Sequence, residues 1–76
     1  MYKIYGKPMC GACTQAKKLL EMKQVDFEYL TLGKDYDLEK VSEFNPQHKS
    51  LPMITKIVGG EEVYVGTLTH LQNILN

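Results

Sequence analysis

Two periodicities divide this chain. Residues 2–5, "YKIY", alternate aromatic or β-branched residues with a lysine, and Gly6, Lys7 and Pro8 end the run, which predicts a strand. From Gly11 to Lys23 the period lengthens. Ala12, Ala16, Leu19 and Leu20 recur at helical spacing, Cys13 shares the side of Ala16 and Leu20, and Gln15, Lys17, Lys18 and Glu21 fall outside the stripe. "VDFEYLTL" returns to period two, with Val25, Phe27 and Tyr29 set against Asp26 and Glu28. "DYDLEKVSEFN" carries Leu38, Val41 and Phe44 at helical spacing, with Asp35 or Asp37 as its cap and Pro46 barring continuation. "MITKIV", Gly59-Gly60 and "EEVYV" together predict a hairpin. "TLTHLQNILN" closes the chain as a helix with Leu68, Leu71 and Leu75 or Ile74 inward and Thr67 as its N-cap.

The order is strand, helix, strand, helix, strand, strand, helix. A leading βαβ unit implies a right-handed crossover between parallel strands, and the trailing hairpin adds an antiparallel edge. The expectation is an α/β domain, a four-stranded mixed sheet with three helices in the order βαβαββα. At 76 residues, one domain over 1–76 is the expected organisation.

Composition sharpens this. The chain is 43% hydrophobic, ordinary for a folded domain. Nine basic and nine acidic residues cancel, so no nucleic-acid or membrane-surface footprint is expected. "MYKIYGKP" lacks the apolar stretch of a signal peptide, and no run approaches the roughly 20 apolar residues of a membrane span. A cytoplasmic location and a monomeric state are the expectation.

In a reducing compartment a Cys-x-x-Cys pair points to redox chemistry or metal binding. The only cysteines are Cys10 and Cys13. As a staple, a disulfide closing so short a loop offers roughly 2 kcal/mol at most. As a zinc clip, the pair lacks partners. A closed site takes about four ligands, and His48 and His70 stand far outside the roughly three-to-five-residue spacing of zinc-binding histidines. As a redox pair, the two sulfurs should differ. Cys10 sits where the first loop meets a helix, whose N-terminal N–H groups and dipole favour a thiolate, with Lys7 in the preceding loop to help. Gly11 and Ala12 leave that sulfur approachable. Cys13, one turn in on the apolar side, should be shielded. This division suits attack by Cys10 and resolution by Cys13.

These residues resemble a known family. "YGKPMCGACTQAKKLL" resembles the active-site segment of the glutaredoxins and of the related redoxins that serve ribonucleotide reductase, where an aromatic residue precedes Lys-Pro-x-Cys-x-x-Cys. "KSLPMI" resembles the family's Thr-Val-Pro loop, and "VYVGTLTHL" its Gly-Gly motif before the last helix. The resemblance implies a thioredoxin-like fold and a small dithiol glutaredoxin of phage or bacterial type. It implies that Pro52 is cis and faces the cysteines, and that the backbone of Leu51 pairs with an extended substrate or glutathione. It further implies that Lys7 meets a glutathione carboxylate while Gly66 and Thr67 hold the other end. The expected activity is glutathione-linked reduction of protein disulfides, with ribonucleotide reductase as client and no metal. Two alternatives stand beside it: electrons from thioredoxin reductase, and a non-enzymatic metal or Fe–S carrier using Cys10. The chain differs from the family in carrying Gly11-Ala12 for Pro-Tyr, Val65-Gly66 for Gly-Gly, Ser50-Leu51 for Thr-Val, and Leu68, Thr69 and His70 where an acidic residue is usual.

Overall fold

The computed structural model describes residues 1–75. Its elements are β1 (Tyr2–Gly6), α1 (Gly11–Met22), β2 (Phe27–Thr31), α2 (Leu38–Phe44), β3 (Met53–Val58), β4 (Glu61–Gly66) and α3 (Leu68–Leu75). The strands form one mixed sheet in the order β2-β1-β3-β4, with β1 and β2 parallel and the other pairs antiparallel. This is the expected βαβαββα sheet with three helices.

Strand alternation sorts the core into two layers. Tyr2, Ile4 and Ile54 face one side and are buried with Ala16 and Leu20 of α1 and Leu71 of α3. Tyr5 and Met53 face the other and are buried with Val41 of α2, flanked by Leu30, Tyr36, Phe44, Leu51 and Tyr64. The hairpin turns through Gly59 and Gly60, both at positive φ, as a tight two-residue turn requires.

One boundary differs from the sequence-based expectation, and one open choice is decided. β2 begins at Phe27 rather than Val25. Gln24 adopts φ 57°, and the N–H groups of Gln24 and Val25 donate to the carbonyls of Glu21 and Leu20. That is a Schellman closure of α1 without a glycine, and it commits the Val25 N–H to the helix end. Of the two candidate caps on α2, Asp37 accepts from the Glu39 N–H at 3.1 Å, while Asp35 turns back to accept from the Thr31 N–H at 2.8 Å.

Sheet register decides what meets at one edge of the molecule. Gly6 pairs with Thr31, Tyr5 with Met53, and Ile54 with Gly66. The segments that follow β1 and β4 and the one that precedes β3 therefore emerge at the same end of the sheet.

Candidate active site

Cys10 is the N-cap of α1, with extended backbone, and Cys13 lies one turn inside the helix. Their Cα atoms are 5.2 Å apart and the sulfurs are joined as a disulfide. The Cys10 Sγ is the atom that the helix N-terminus addresses. It receives the backbone N–H of Cys13 at 3.2 Å, in the place where a capping oxygen usually accepts. The Cys10 carbonyl is held twice, by the Thr14 N–H and by the Thr14 hydroxyl, each at 3.1 Å. Cys10 is half-buried, whereas Cys13 is wholly enclosed.

The enclosure of Cys13 depends on Gly6. A side-chain carbon there would sit 3.2 Å from the Cys13 Cβ and would overlap the hydroxyl end of Tyr29. The backbone leading into the cysteines is fixed from the β2 side. The Gly6 carbonyl accepts from the Tyr36 hydroxyl at 2.7 Å and from the Leu32 N–H at 2.9 Å. The Lys7 carbonyl accepts from the Tyr29 hydroxyl at 3.3 Å. Burial first, and then the neighbouring Tyr29, pushes the Tyr36 phenol up to about 12, so it serves as a neutral donor throughout the neutral range. Neither tyrosine carries a sequence signal of its role, because each reaches the loop only after β2 is laid beside β1.

The other sequence-predicted positions fall around this centre as follows. Leu51 is half-buried and its carbonyl oxygen lies 4.0 Å from the Cys10 Sγ. Pro52 is buried and the Leu51–Pro52 bond is cis. Lys7 is exposed in the loop before Cys10. Gly66 is buried at φ 134°, and Thr67 is half-buried at the start of α3.

Thr67 is already engaged within the chain. Its backbone N–H and its hydroxyl both meet His70 Nδ1, at 3.1 and 3.0 Å, and the imidazole packs against the bare face of Gly66. His70 thus fills the role that Glu or Gln plays in a capping box, with Nδ1 unprotonated as the acceptor. The other histidine, His48, shares a 2.6 Å hydrogen bond with the Tyr64 hydroxyl. Among the described residues, no three His, Cys, Asp or Glu side chains converge on a point where a metal could sit. Among the described residues, no helix is long and apolar enough to cross a membrane.

Comparison with known proteins gives the family and the fold. The glutaredoxin family model matches residues 3–63. Among solved structures, a mutant form of the thioredoxin-like protein BC3987 superposes with a TM-score of 0.65 at 25% identity, over 100% of both chains. BC3987 itself superposes with a TM-score of 0.63 at 23% identity, over 97% of this chain and 99% of its own. Glutaredoxin 1 from Francisella tularensis, complexed with cacodylate, gives a TM-score of 0.63 at 20% identity, over 95% of this chain and 87% of its own. The curated proteins include no significant match. With a thioredoxin-like fold, a close cysteine pair at a helix N-terminus and a family match across most of its length, the chain belongs to the glutaredoxin family and is a thiol–disulfide oxidoreductase.

Proposed function

We propose that this chain is a single-domain, cytoplasmic dithiol glutaredoxin that carries electrons from glutathione to protein disulfides, ribonucleotide reductase being the natural client. Cys10 is the nucleophile and Cys13 the resolving thiol. The observation that carries this reading is the inequality of the two sulfurs. Cys10 receives an N–H at the helix start and is only half-buried, while Cys13 is wholly enclosed. A thiolate at Cys10 is stabilised by that N–H and by the helix dipole.

The exchange runs in two steps. The Cys10 thiolate attacks a client disulfide and forms a mixed disulfide, and the released client sulfur takes a proton from solvent. Cys13 then loses its proton and attacks the Cys10 Sγ. The Cys10–Cys13 bond forms, the second client thiol leaves, and two electrons have passed to the client. Two glutathione thiols reverse the change on the enzyme and leave as glutathione disulfide. In this reading Lys7 meets a glutathione carboxylate and the backbone of Leu51 and Pro52 lines the extended tripeptide. The proximity of the Leu51 carbonyl to the Cys10 Sγ supports that placement. Gly66 and Thr67 take the far end.

One observation favours a second reductant. The Thr67 N–H that would receive a glutathione carboxylate is donated to His70, so the tripeptide must displace the imidazole to use it. Reduction by thioredoxin reductase has no such requirement. The test is an NADPH-coupled assay run with glutathione and glutathione reductase, and again with thioredoxin reductase, on wild type, Cys10→Ser and Cys13→Ser. Wild type should turn over with glutathione, Cys10→Ser should be inert, and Cys13→Ser should accumulate a mixed disulfide visible by mass. Turnover by Cys10→Ser would sink the mechanism, and turnover with thioredoxin reductase alone would reassign the reductant.

A further inference from the structure

Between α1 and β2, beside the cysteine loop, lies an open groove of about 390 Å³. Lys7, Met9, Thr14, Lys17 and Tyr29 line it. Met9 immediately precedes Cys10 and is fully exposed. Its φ is 56°, in the left-handed region that favours glycine. A long apolar side chain held there costs about 1–2 kcal/mol in backbone energy. No packing within the chain offsets this, since the side chain stands free in solvent. A glycine would close the same turn without the cost.

The groove is also one-signed. Two of its lining side chains are lysines and none is acidic. Lys17 Nζ stands 5.7 Å from the Tyr29 ring centroid, and the Tyr29 hydroxyl donates to the Lys7 carbonyl, so the ring joins the Lys17 side chain to the Lys7 backbone. Thr31 also lines the groove, and its N–H donates to Asp35, which borders the larger cavity beside α2. That N–H points away from β1, because the next one along, from Leu32, donates to Gly6 of β1. The chain as a whole is neutral, so this cationic end is a matter of placement. The larger cavity beside α2 is mixed, with Asp35, Asp37, Glu39, Glu43 and Glu62 set among Lys3, Lys34 and Lys40.

We propose that this groove is the docking surface for an acidic segment flanking the client's disulfide cysteine: carboxylates over Lys17 and Lys7, and an adjacent apolar residue against Met9. The inference rests on the reading that the chain reduces protein disulfides. Reach permits it. Once a client sulfur is joined to Cys10, residues one or two positions along lie within roughly 4–7 Å of that bond, at about 3.3–3.6 Å per extended residue. Met9 adjoins Cys10 in the chain, Lys7 lies on the same groove, and Lys17 lies about 10 Å further along α1 at about 1.5 Å of rise per residue, within reach of a third extended residue. Methionine suits a surface that must accept different apolar partners, since its side chain is flexible and polarisable. Exposed charge pairs are individually weak, so the lysines select among clients and speed encounter rather than hold a complex.

The test uses three synthetic disulfide peptides identical except for the residues beside the cysteines, which are glutamate, glutamine or lysine. Wild-type kcat/KM should follow acidic, neutral, basic, with about three- to tenfold between acidic and neutral. The gap should close at about 1 M salt, where screening acts over roughly 3 Å. Lys17→Glu should invert the order, Lys17→Arg should keep it, and Met9→Gly should lower kcat/KM for all three peptides alike. A small neutral dialkyl disulfide should be reduced equally by all four proteins. Wild-type indifference to peptide charge, or an unchanged order in Lys17→Glu, would overturn the docking proposal while leaving the oxidoreductase intact. Failure of wild type to reduce any peptide, with the small disulfide still turned over, would overturn the protein-client reading and the proposal with it.

Discussion

Replacing Glu62 by alanine should destabilise this protein out of proportion to a position so near the sheet surface. Glu62 Oε2 accepts from two hydroxyls, Tyr5 and Thr55, the latter at 2.7 Å. Thr55 is 0% exposed and Tyr5 is 2% exposed. Lys3 stands 3.9 Å from Glu62 Oε1 and 3.7 Å from Glu28, so it keeps a partner when Glu62 is removed. The hydroxyls do not both find one. Tyr5 borders the open cavity beside α2 and can regain a solvent contact there, whereas Thr55 does not line it. A buried hydroxyl left without a partner costs about 1–3 kcal/mol. Placing Tyr5 at the low end and Thr55 mid-range gives a loss of about 2–3 kcal/mol. A domain of this length has roughly 4–11 kcal/mol in all. With a urea m-value of about 1–1.5 kcal/mol/M, the midpoint should fall by about 2 M. Disulfide exchange should be untouched, because Glu62 pairs with Ile57, near the sheet end away from Cys10.

The pH dependence gives the same cluster two further signatures. Burial opposes the Glu62 carboxylate, but the hydrogen bonds from Tyr5 and Thr55, with Lys3 and Lys40 nearby, outweigh it and hold the group below its ordinary 4.5. Its stabilisation is therefore present above about pH 4.5 and is lost as pH falls through the lower folded value. Tyr5 is raised, by burial first and by Glu62 second, so its stabilisation is present below its ordinary value of 10.0 and is lost as pH climbs above it. Glu62→Ala should flatten the acid limb of the stability profile and reduce the alkaline one, where the larger cause, burial of Tyr5, remains. A midpoint shift under about 0.5 M urea, or an unchanged acid limb, would refute the reasoning.

The remaining predictions concern the site. Gly6→Ala should cost about 1–3 kcal/mol, because the new carbon meets Tyr29 Cζ at 2.8 Å and the Cys13 Cβ at 3.2 Å. The same variant should slow resolution of the mixed disulfide, and wild-type stability in urea would contradict this packing. His70→Ala should lower the KM for glutathione with kcat unchanged, because it frees the Thr67 N–H and clears the face of Gly66. An unchanged KM would remove Thr67 from the glutathione cradle.

Local pattern alone settled most of the architecture. Period two in "YKIY" and "EEVYV" and helical spacing after Gly11 reflect which face each residue buries, and that requirement is written residue by residue. The Cys10–Cys13 spacing against a helix start was legible for the same reason: one helical turn makes the two sulfurs unequal wherever the helix is placed. Gly59-Gly60 likewise specified its turn by steric permission. Features that bind distant segments left no such mark. Tyr5 and Glu62 are 57 positions apart and meet only because β3 separates β1 from β4. The choice between Asp35 and Asp37 depended on which carboxylate the end of β2 would claim. Met9 and Gln24 adopt left-handed backbone without the glycine that would announce it, each held by its surrounding chain rather than by its own preference. The lysine groove forms when α1 packs against β2 and brings Lys17 over Tyr29. Charge counted along the chain sums to zero, and only folding sets Lys7 and Lys17 on one groove with no acid in its lining.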